Sequence, residues 1–460
     1  MYTTDTIAAI ATAMSNSGIG IVRISGSEAF AVADRVFREA GKPEAGLKDA
    51  QSHTIHYGHI YDGDELVDEV LLMVMRGPRS YTAEDTVEIN CHGGVLVLKR
   101  VLDAVFRNGA RPAEPGEFTK RAFLNGRIDL SQAEAGMGVI DAKNKLALKS
   151  SVSQLKGSVS EKVKALREKI LYEIAFIESA LDDPEHISLD GYGEKLEGVL
   201  EPMIGEVEKL LHSADSGRVI SEGVKTVILG KPNAGKSSLM NVLTGEERAI
   251  VTDIAGTTRD TLEEHVYLKG ISLNIVDTAG IRETEDVVEK IGVSRAKSAA
   301  DDADLIIYVV DGSSKLDEND EKIIDWIRGR RAIVLLNKSD LEMQVSEEEL
   351  KERTGHTVIA VSAKENSGID RLEQEIEDMF INGEIDFNDE VMITNARHKN
   401  ALAGTLESLE MVRRSVEAGM PEDFYSIDLM NAYEKLGTII GESLEDDLVN
   451  EIFSKFCMGK

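Results

Sequence analysis

The sequence is poor in cysteine, with two thiols, Cys91 and Cys457, in 460 residues. Two cannot build a disulfide framework, and a reduced, cytoplasmic setting fits better than a secreted one. Long apolar runs are missing too. The best are Leu305–Val310 and Ala332–Leu336, far short of the roughly 18 residues a membrane helix needs, so no membrane role is expected. No Lys or Arg precedes Asp5, so the basic start of a secretory signal is lacking. Positive charge is scarce overall: 52 Lys and Arg against 83 Asp and Glu leave a formal charge of −31. That argues against coating nucleic acid by bulk electrostatics and leaves room for a local basic site. What remains is an ordinary composition, 42% hydrophobic and 29% charged, which makes wholesale disorder a poor reading. The length suits about two to four domains.

The chain changes texture along its length. Residues 1–118 read as an α/β unit, with β-rich runs at Ile19–Ile24, Val67–Met75 and Thr86–Cys91 and helical periodicity over Glu28–Arg38 and Gly94–Arg107. Residues 119–218 are dominated by Ala, Leu, Lys, Ser, Gln and Glu, with no proline between Pro115 and Pro184. That predicts long helices. Over 219–381, short apolar runs (Thr226–Leu229, Leu273–Val276, Leu305–Val310, Ile333–Leu336, Val358–Val361) alternate with helical stretches. The alternation predicts a parallel sheet with helices on both faces. Helical texture returns over 382–460. The expected fold class is therefore multidomain, α/β together with all-α. One helical domain interrupted by an insertion fits this order, as do two separate helical domains.

Gly230-Lys231-Pro232-Asn233-Ala234-Gly235-Lys236-Ser237 fits G-x-x-x-x-G-K-[ST] between a strand run and a helix, the context that motif requires. Its glycines let backbone N–H groups approach phosphate oxygens at a helix end whose dipole favours anions. Asn233, Ala234, Gly235, Lys236, Ser237 and Ser238 form the expected phosphate cradle. Lys236 reaches the β- and γ-phosphates and the Ser237 hydroxyl ligates Mg²⁺. Asp277-Thr278-Ala279-Gly280 ends a second strand, where Asp277 holds Mg²⁺ through water and the Gly280 N–H meets the γ-phosphate. Thr258 lies between the two motifs and offers a hydroxyl to the metal. In Asn337-Lys338-Ser339-Asp340, the Asp340 carboxylate accepts the two N–H donors on guanine's edge, a pair that adenine lacks. Ser362-Ala363-Lys364 ends the last strand, where backbone N–H meets guanine's carbonyl oxygen. Elements in this order resemble the Ras-like, translation-factor class of GTPases and imply GTP rather than ATP. The residue after D-x-x-G, where Ras places a water-orienting Gln, is Ile281. Another water-positioning group is required. Nearby charges are Arg259, Arg282, Glu283, Glu285 and Glu289.

The flanks carry a further resemblance. Ala249–Asp260, Pro232–Ser238, Gly20–Gly26, Gly93-Gly94, Arg111–Phe118, Arg121–Gly126 and the terminal Phe456-Cys457-Met458-Gly459-Lys460 together resemble the MnmE (TrmE) family of bacterial tRNA uridine-modification GTPases. The resemblance implies an N-terminal tetrahydrofolate-binding and dimerisation domain (1–118), a helical domain in two segments (119–218 and 382–460) and an inserted G domain (219–381). It implies a switch segment Thr252-Asp253-Ile254-Ala255-Gly256-Thr257-Thr258 around the nucleotide, and K⁺ held by Asn233, Thr252, Ile254 and Thr257. Glu289 would position the attacking water through a bridging water, with Lys236 and Thr258 as the other catalytic groups. Folate, as 5-formyl- or 5,10-methylenetetrahydrofolate, would contact Arg23, Glu88, Arg127 and Lys460. The partners implied are a second copy in a homodimer, the FAD- and NADH-dependent MnmG (GidA) in a heterotetramer, and tRNA.

The family's Pro-Gly-Arg-type loop before Gly20 is here Ala13–Gly18, and Met458 stands where Ile is usual. Cys457 is either a small packed hydrophobe or a reactive thiol. Lys143, Lys145, Lys149, Lys156, Lys162, Lys164, Arg167 and Lys169 face only Glu161 and Glu168 over the same stretch. A tRNA- or partner-facing helix and a plain solvated helix both fit that local excess of positive charge. Two competing readings are a ribosome-assembly GTPase, which would need an RNA-binding module that is not evident, and a nucleotide-gated scaffold with negligible turnover.

Overall fold

The structure, a computed structural model, describes residues 5–41, 46–245, 263–268, 271–276, 300–380, 391–442, 446–456 and 459. The chain divides into two compact units. One comprises Met1–Met137, Gln154–Asp190 and Met420–Lys460, and the other Gly138–Ser153 and Gly191–Gly419.

The first unit is built on a seven-stranded sheet. Its strands are β1 (Ile7–Ile10), β2 (Ser17–Ser25), β3 (Phe37–Glu39), β4 (Thr54–Asp62), β5 (Glu65–Met75), β6 (Thr86–Gly93) and β7 (Arg111–Pro112), in the order β3-β4-β5-β6-β2-β1-β7. All neighbours are antiparallel except β1 and β7. Alternation along the strands separates two faces. Val22, Ile24, Ile60, Leu72, Val74, Val87 and Ile89 are buried with Val32 and Val36 of helix α1 (Ala29–Val36) and Leu98, Val101 and Val105 of helix α2 (Val95–Arg107). The opposite face carries the registered rows Tyr57–Leu71–Asn90–Ile21 and Ile55–Met73–Glu88–Arg23. On it Ile55, Tyr57 and Leu71 are 62%, 49% and 48% exposed.

Helix α3 (Glu117–Leu124) follows the sheet, and Phe118 is buried with Ile7, Ala9 and Ala113. Leu130 and Ala133 of helix α4 (Leu130–Asp141) are buried with Val449, Phe453 and Phe456. The long helix α6 (Ser158–Asp182) packs on the helix Glu422–Ile440.

In the second unit, helix α7 (Tyr192–Glu222) packs along the helix Ala396–Glu417 and leads through Gly223 into β8 (Val224–Leu229). The six-stranded sheet adds β9 (Glu263–Leu268), β10 (Ile271–Val276), β11 (Leu305–Asp311), β12 (Ala332–Asn337) and β13 (Thr357–Ala360), in the order β13-β12-β11-β8-β10-β9. Every pairing is parallel except β9 with β10. One sheet face buries Ile228, Ile307, Val309, Ile333 and Leu335 with Leu239 and Leu243 of helix α8 (Lys236–Leu243) and Leu372 and Ile376 of the helix Ile369–Phe380. The other buries Val227, Leu229, Ile306, Tyr308, Val334 and Leu336 with Ile324 and Ile327 of the helix Glu318–Ile327. The expected two-faced parallel sheet is present. The antiparallel edge strand β9 was not anticipated, because it opens on Glu263, Glu264 and His265 and leaves only Val266, Tyr267 and Leu268 as a short apolar run.

Candidate functional site

The phosphate-binding loop joins the end of β8 to α8 at the carboxyl edge of the parallel sheet, the place where open α/β sheets bind ligands. Two glycines shape it. Gly230 has φ +154°, and a Cβ there would lie 2.4 Å from Val309 O. Gly235 has φ +100°, and a Cβ there would lie 2.0 Å from Asn337 Nδ2. Neither position accommodates a side chain. Asn233 between them also adopts the left-handed region, at φ +62°, which asparagine tolerates better than most residues. Lys236 Nζ donates to Gly230 O at 2.6 Å and Lys231 O at 2.8 Å, so the ammonium lies across its own loop. Ser237 and Ser238 begin α8 with exposed side chains, and Ala234 is buried.

The two segments expected to read the base are tied to that loop. Asn337 Nδ2 donates to Ala234 O at 2.8 Å, and Asn337 Oδ1 accepts from Ala363 N at 3.1 Å. One buried amide thus links the ends of β8, β12 and β13. Lys338, at φ +65°, donates to Asp311 Oδ2 at 2.5 Å. Asp340 Oδ1 accepts from the buried Ser362 hydroxyl at 2.7 Å, which holds the Asp340 carboxyl below its usual range. Lys364 is exposed beyond it. The geometry gathers a phosphate cradle, an ionised acceptor and a set of backbone donors at one sheet edge. Thr252, Asp253, Ile254, Ala255, Gly256, Thr257, Thr258, Asp277, Thr278, Ala279, Gly280 and Glu289 lie outside the described residues, as do Ile281 and the other nearby charges of the switch segment.

In the first unit, three of the four expected folate contacts come together at the sheet face opposite α1 and α2. Arg23 and Glu88 are registered partners on β2 and β6, with Arg23 Nε 2.8 Å from Glu88 Oε1. Arg23 NH1 also donates to Gly459 O at 3.1 Å, which brings the chain's end to this pair. Lys460 itself lies outside the described residues, as do Cys457 and Met458. The Arg23 guanidinium stands 4.8 Å from the Tyr81 ring centroid, and the Arg127 guanidinium 4.9 Å from the same ring. Tyr81 was missed in the sequence. Its only signal was a lone aromatic in a Gly-Pro-Arg-Ser loop. The structure makes it the shared platform of both arginines.

Beneath the platform lies a polar cluster. Tyr81 OH meets Thr119 Oγ1 at 2.9 Å, and Asn125 Nδ2 donates to Thr82 O at 2.8 Å. Arg121, 3% exposed, binds Glu117 at 3.0 Å, Asp5 at 2.8 Å and Glu84 at 3.2 Å. Arg111 binds Glu117 at 2.5 Å and also pairs with Asp5. Burial raises the Glu117 carboxyl, but the Arg111, Glu114 N–H and Arg121 hydrogen bonds outweigh it and hold it below the ordinary range.

The basic stretch is corrected. It is two helices, α5 (Lys145–Leu155) and α6, rather than one. Arg167 points inward. Its guanidinium pairs with Glu442, donates to Tyr433 O at 3.3 Å and stacks 4.0 Å from the Tyr433 ring. Sequence spacing could not separate it from the exposed lysines. Cys91 is a packed hydrophobe, with burial and then the Asp68 charge pushing its thiol up to about 11. No helix among the described residues is long and apolar enough to cross a membrane.

Residues 6–127 match the family described as GTP-binding protein TrmE N-terminus, and residues 130–457 match the MnmE helical domain family. A tRNA modification GTPase MnmE of Lachnoclostridium phytofermentans is 59% identical over 457 residues, covering 99% of this chain and 100% of that protein. One of Acetivibrio thermocellus is 48% identical over 464 residues, covering 100% of both chains. One of Enterococcus faecalis is 46% identical over 462 residues, covering 99% of this chain and 98% of its own. With full-length relatives at this identity and matched families covering both ends of the chain, the chain belongs to the MnmE family of tRNA modification GTPases.

Proposed function

We propose that the protein is a potassium-activated GTP hydrolase that acts with an MnmG-type, FAD- and NADH-dependent partner. Together they install a carboxymethylaminomethyl group at carbon 5 of the wobble uridine of certain tRNAs, with a tetrahydrofolate as one-carbon donor. The domains assigned to these tasks are 1–118 for folate and dimerisation, 119–218 with 382–460 for the helical domain, and 219–381 for GTP. The observation that carries the folate half is the Arg23–Glu88–Arg127 group around Tyr81. A carboxylate suits the adjacent N–H donors of a pterin ring, two guanidiniums suit a glutamate tail, and an aromatic face suits a flat heterocycle. The same sheet face exposes Ile55, Tyr57 and Leu71, an apolar surface that a second copy would cover.

In the G domain, Ser237 with Thr258 is assigned to Mg²⁺, and Asn233 with Thr252, Ile254 and Thr257 to K⁺. Of these, Asn233 and Ser237 are described, and both offer oxygen donors from exposed side chains on the phosphate loop, as hard cations require. Bound there, K⁺ supplies the positive charge that an arginine finger supplies in other GTPases. Lys236 neutralises phosphate charge, and Glu289 is assigned to holding the attacking water where Ile281 cannot. GTP hydrolysis would drive G-domain dimerisation and conformational change rather than the carbon chemistry.

GTP turnover measured in potassium and in sodium buffer tests the cation. At least about tenfold stimulation by potassium is expected, abolished in Asn233→Ala. Equal rates in the two buffers defeat the assignment. For the folate site, equilibrium dialysis with 5-formyltetrahydrofolate should show binding that Arg127→Met weakens about tenfold or more, as loss of a charge-assisted contact requires. No binding by the unaltered protein would remove the folate reading. Analysis of wobble uridines in tRNA from cells lacking the protein tests the whole proposal.

A further inference from the structure

Lys231 is the second residue of the phosphate-binding loop, a position the loop motif leaves free. Its side chain is nevertheless committed. Nζ lies 2.6 Å from Asp320 Oδ2 and 2.9 Å from Asp317 Oδ2, both at the start of the helix Glu318–Ile327. Asp320 is 1% exposed. Its Oδ1 accepts from the fully buried Tyr308 hydroxyl at 2.8 Å, and its Oδ2 also accepts from Asp317 N at 2.9 Å. A carboxylate buried this deeply requires a partner cation, and Lys231 supplies one.

The main chain of the same residue faces the other way in function. Lys231 O accepts from Lys236 Nζ at 2.8 Å and from Ala234 N at 3.3 Å. Hydrogen bonds on both sides of Lys231 therefore link β11 and the start of the helix Glu318–Ile327, through the Lys231 residue itself, to the Lys236 ammonium. A lysine stem costs up to about 2 kcal/mol of rotamer entropy to immobilise. Here it is held at two carboxylates, one of them fixed on all sides. The loop it anchors must present several N–H groups at once, and preorganisation of such groups raises affinity by removing the ordering cost at binding.

We propose that Lys231, held by Asp320 and Tyr308, is a positioning residue for guanine-nucleotide binding. It fixes the phosphate-binding loop through its main chain and takes no part in the chemistry. The test follows release of a fluorescent N-methylanthraniloyl GDP from the full chain by stopped flow. Lys231→Met should speed release about tenfold while Lys231→Arg stays within about twofold, since affinity changes of this kind reside mostly in dissociation.

The double variant Lys231→Met with Asp320→Asn separates positioning from charge neutralisation. It removes the orphaned carboxylate, so thermal stability without nucleotide should recover while release stays fast. Release returning to the unaltered rate in the double variant overturns the proposal, as does an unaltered rate in Lys231→Met. If Lys231→Met does not accumulate as folded protein, Tyr308→Phe keeps the ion pair and loses one hydroxyl. It should speed release about threefold, the loss of one charge-assisted hydrogen bond at reduced amplitude, and an unchanged rate there overturns the proposal equally.

Discussion

Asp340→Asn is expected to weaken GTP binding by about two to four orders of magnitude. The Asp340 carboxylate stands at the carboxyl end of β12, kept ionised by the Ser362 hydroxyl 2.7 Å away. Guanine offers it two donors, the ring N–H and the exocyclic amine, and hydrogen bonds to a charged acceptor are each worth about 1.5–3 kcal/mol. An amide accepts one of these and turns its own NH₂ toward the other. Xanthine carries a carbonyl where guanine has the amine, so the variant should gain affinity for XTP as it loses GTP. Competition between the two nucleotides against a fluorescent analogue measures both changes. Unaltered GTP affinity would mean that Asp340 does not read the base. The variant should fold normally, because Asn337 carries the amide contacts that tie these loops together, and an amide oxygen at position 340 can still accept from the Ser362 hydroxyl.

Arg121→Met should destabilise the unit that contains it by about 3–5 kcal/mol, the usual result of removing one partner from a buried ionic cluster. Two guanidiniums, Arg111 and Arg121, face three carboxylates, Asp5, Glu84 and Glu117. The substitution leaves one against three. At about 2–4 °C per kcal/mol, the melting midpoint should fall by about 6–20 °C. The effect depends on pH with a defined sign. The folded-state carboxyl of Glu117 is held below its unfolded value. Its contribution is therefore complete above that unfolded value, about 4.3, and is lost as pH falls through the lower folded value. The deficit of the variant should be largest near neutrality and should narrow below about pH 4, where the carboxylates protonate. A constant deficit across that range would show that lost packing, not lost charge, is responsible. Asp5 follows the same direction but is substantially exposed, so solvent weakens its share.

How much of this was legible without the fold depended on how local each requirement is. The α/β and helical textures followed from periodicity, and most strand runs in both sheets fell within a few residues of their observed bounds. The strands β1, β3, β4, β7 and β9 were not read from the sequence. β1, β3 and β7 are four, three and two residues long, β4 carries His56, Gly58 and His59 among its apolar residues, and β9 opens on Glu263, Glu264 and His265. The basic stretch shows the converse error. Composition cannot tell which side of α6 a residue occupies, and Arg167 went to the side that packs on Tyr433.

The nucleotide edge was written in the sequence because each part is a backbone requirement met within a few consecutive residues. Left-handed glycines, a lysine folded over its own loop and a carboxylate after a strand need no distant partner to be recognised. The rest was decided by tertiary structure. Arg23 meets Glu88 only because β2 pairs with β6 in one register, and a shift of one residue would turn one of the two to the core face. Tyr81 becomes a platform only where that register sets Arg23 beside a loop anchored to α3. Lys231 becomes a fixed point only because β11 buries Tyr308 beneath the helix that carries Asp320. Such pairs join residues far apart in sequence, and the exclusion of water that makes each partner both necessary and strong arises only on folding, which no local pattern of residues encodes.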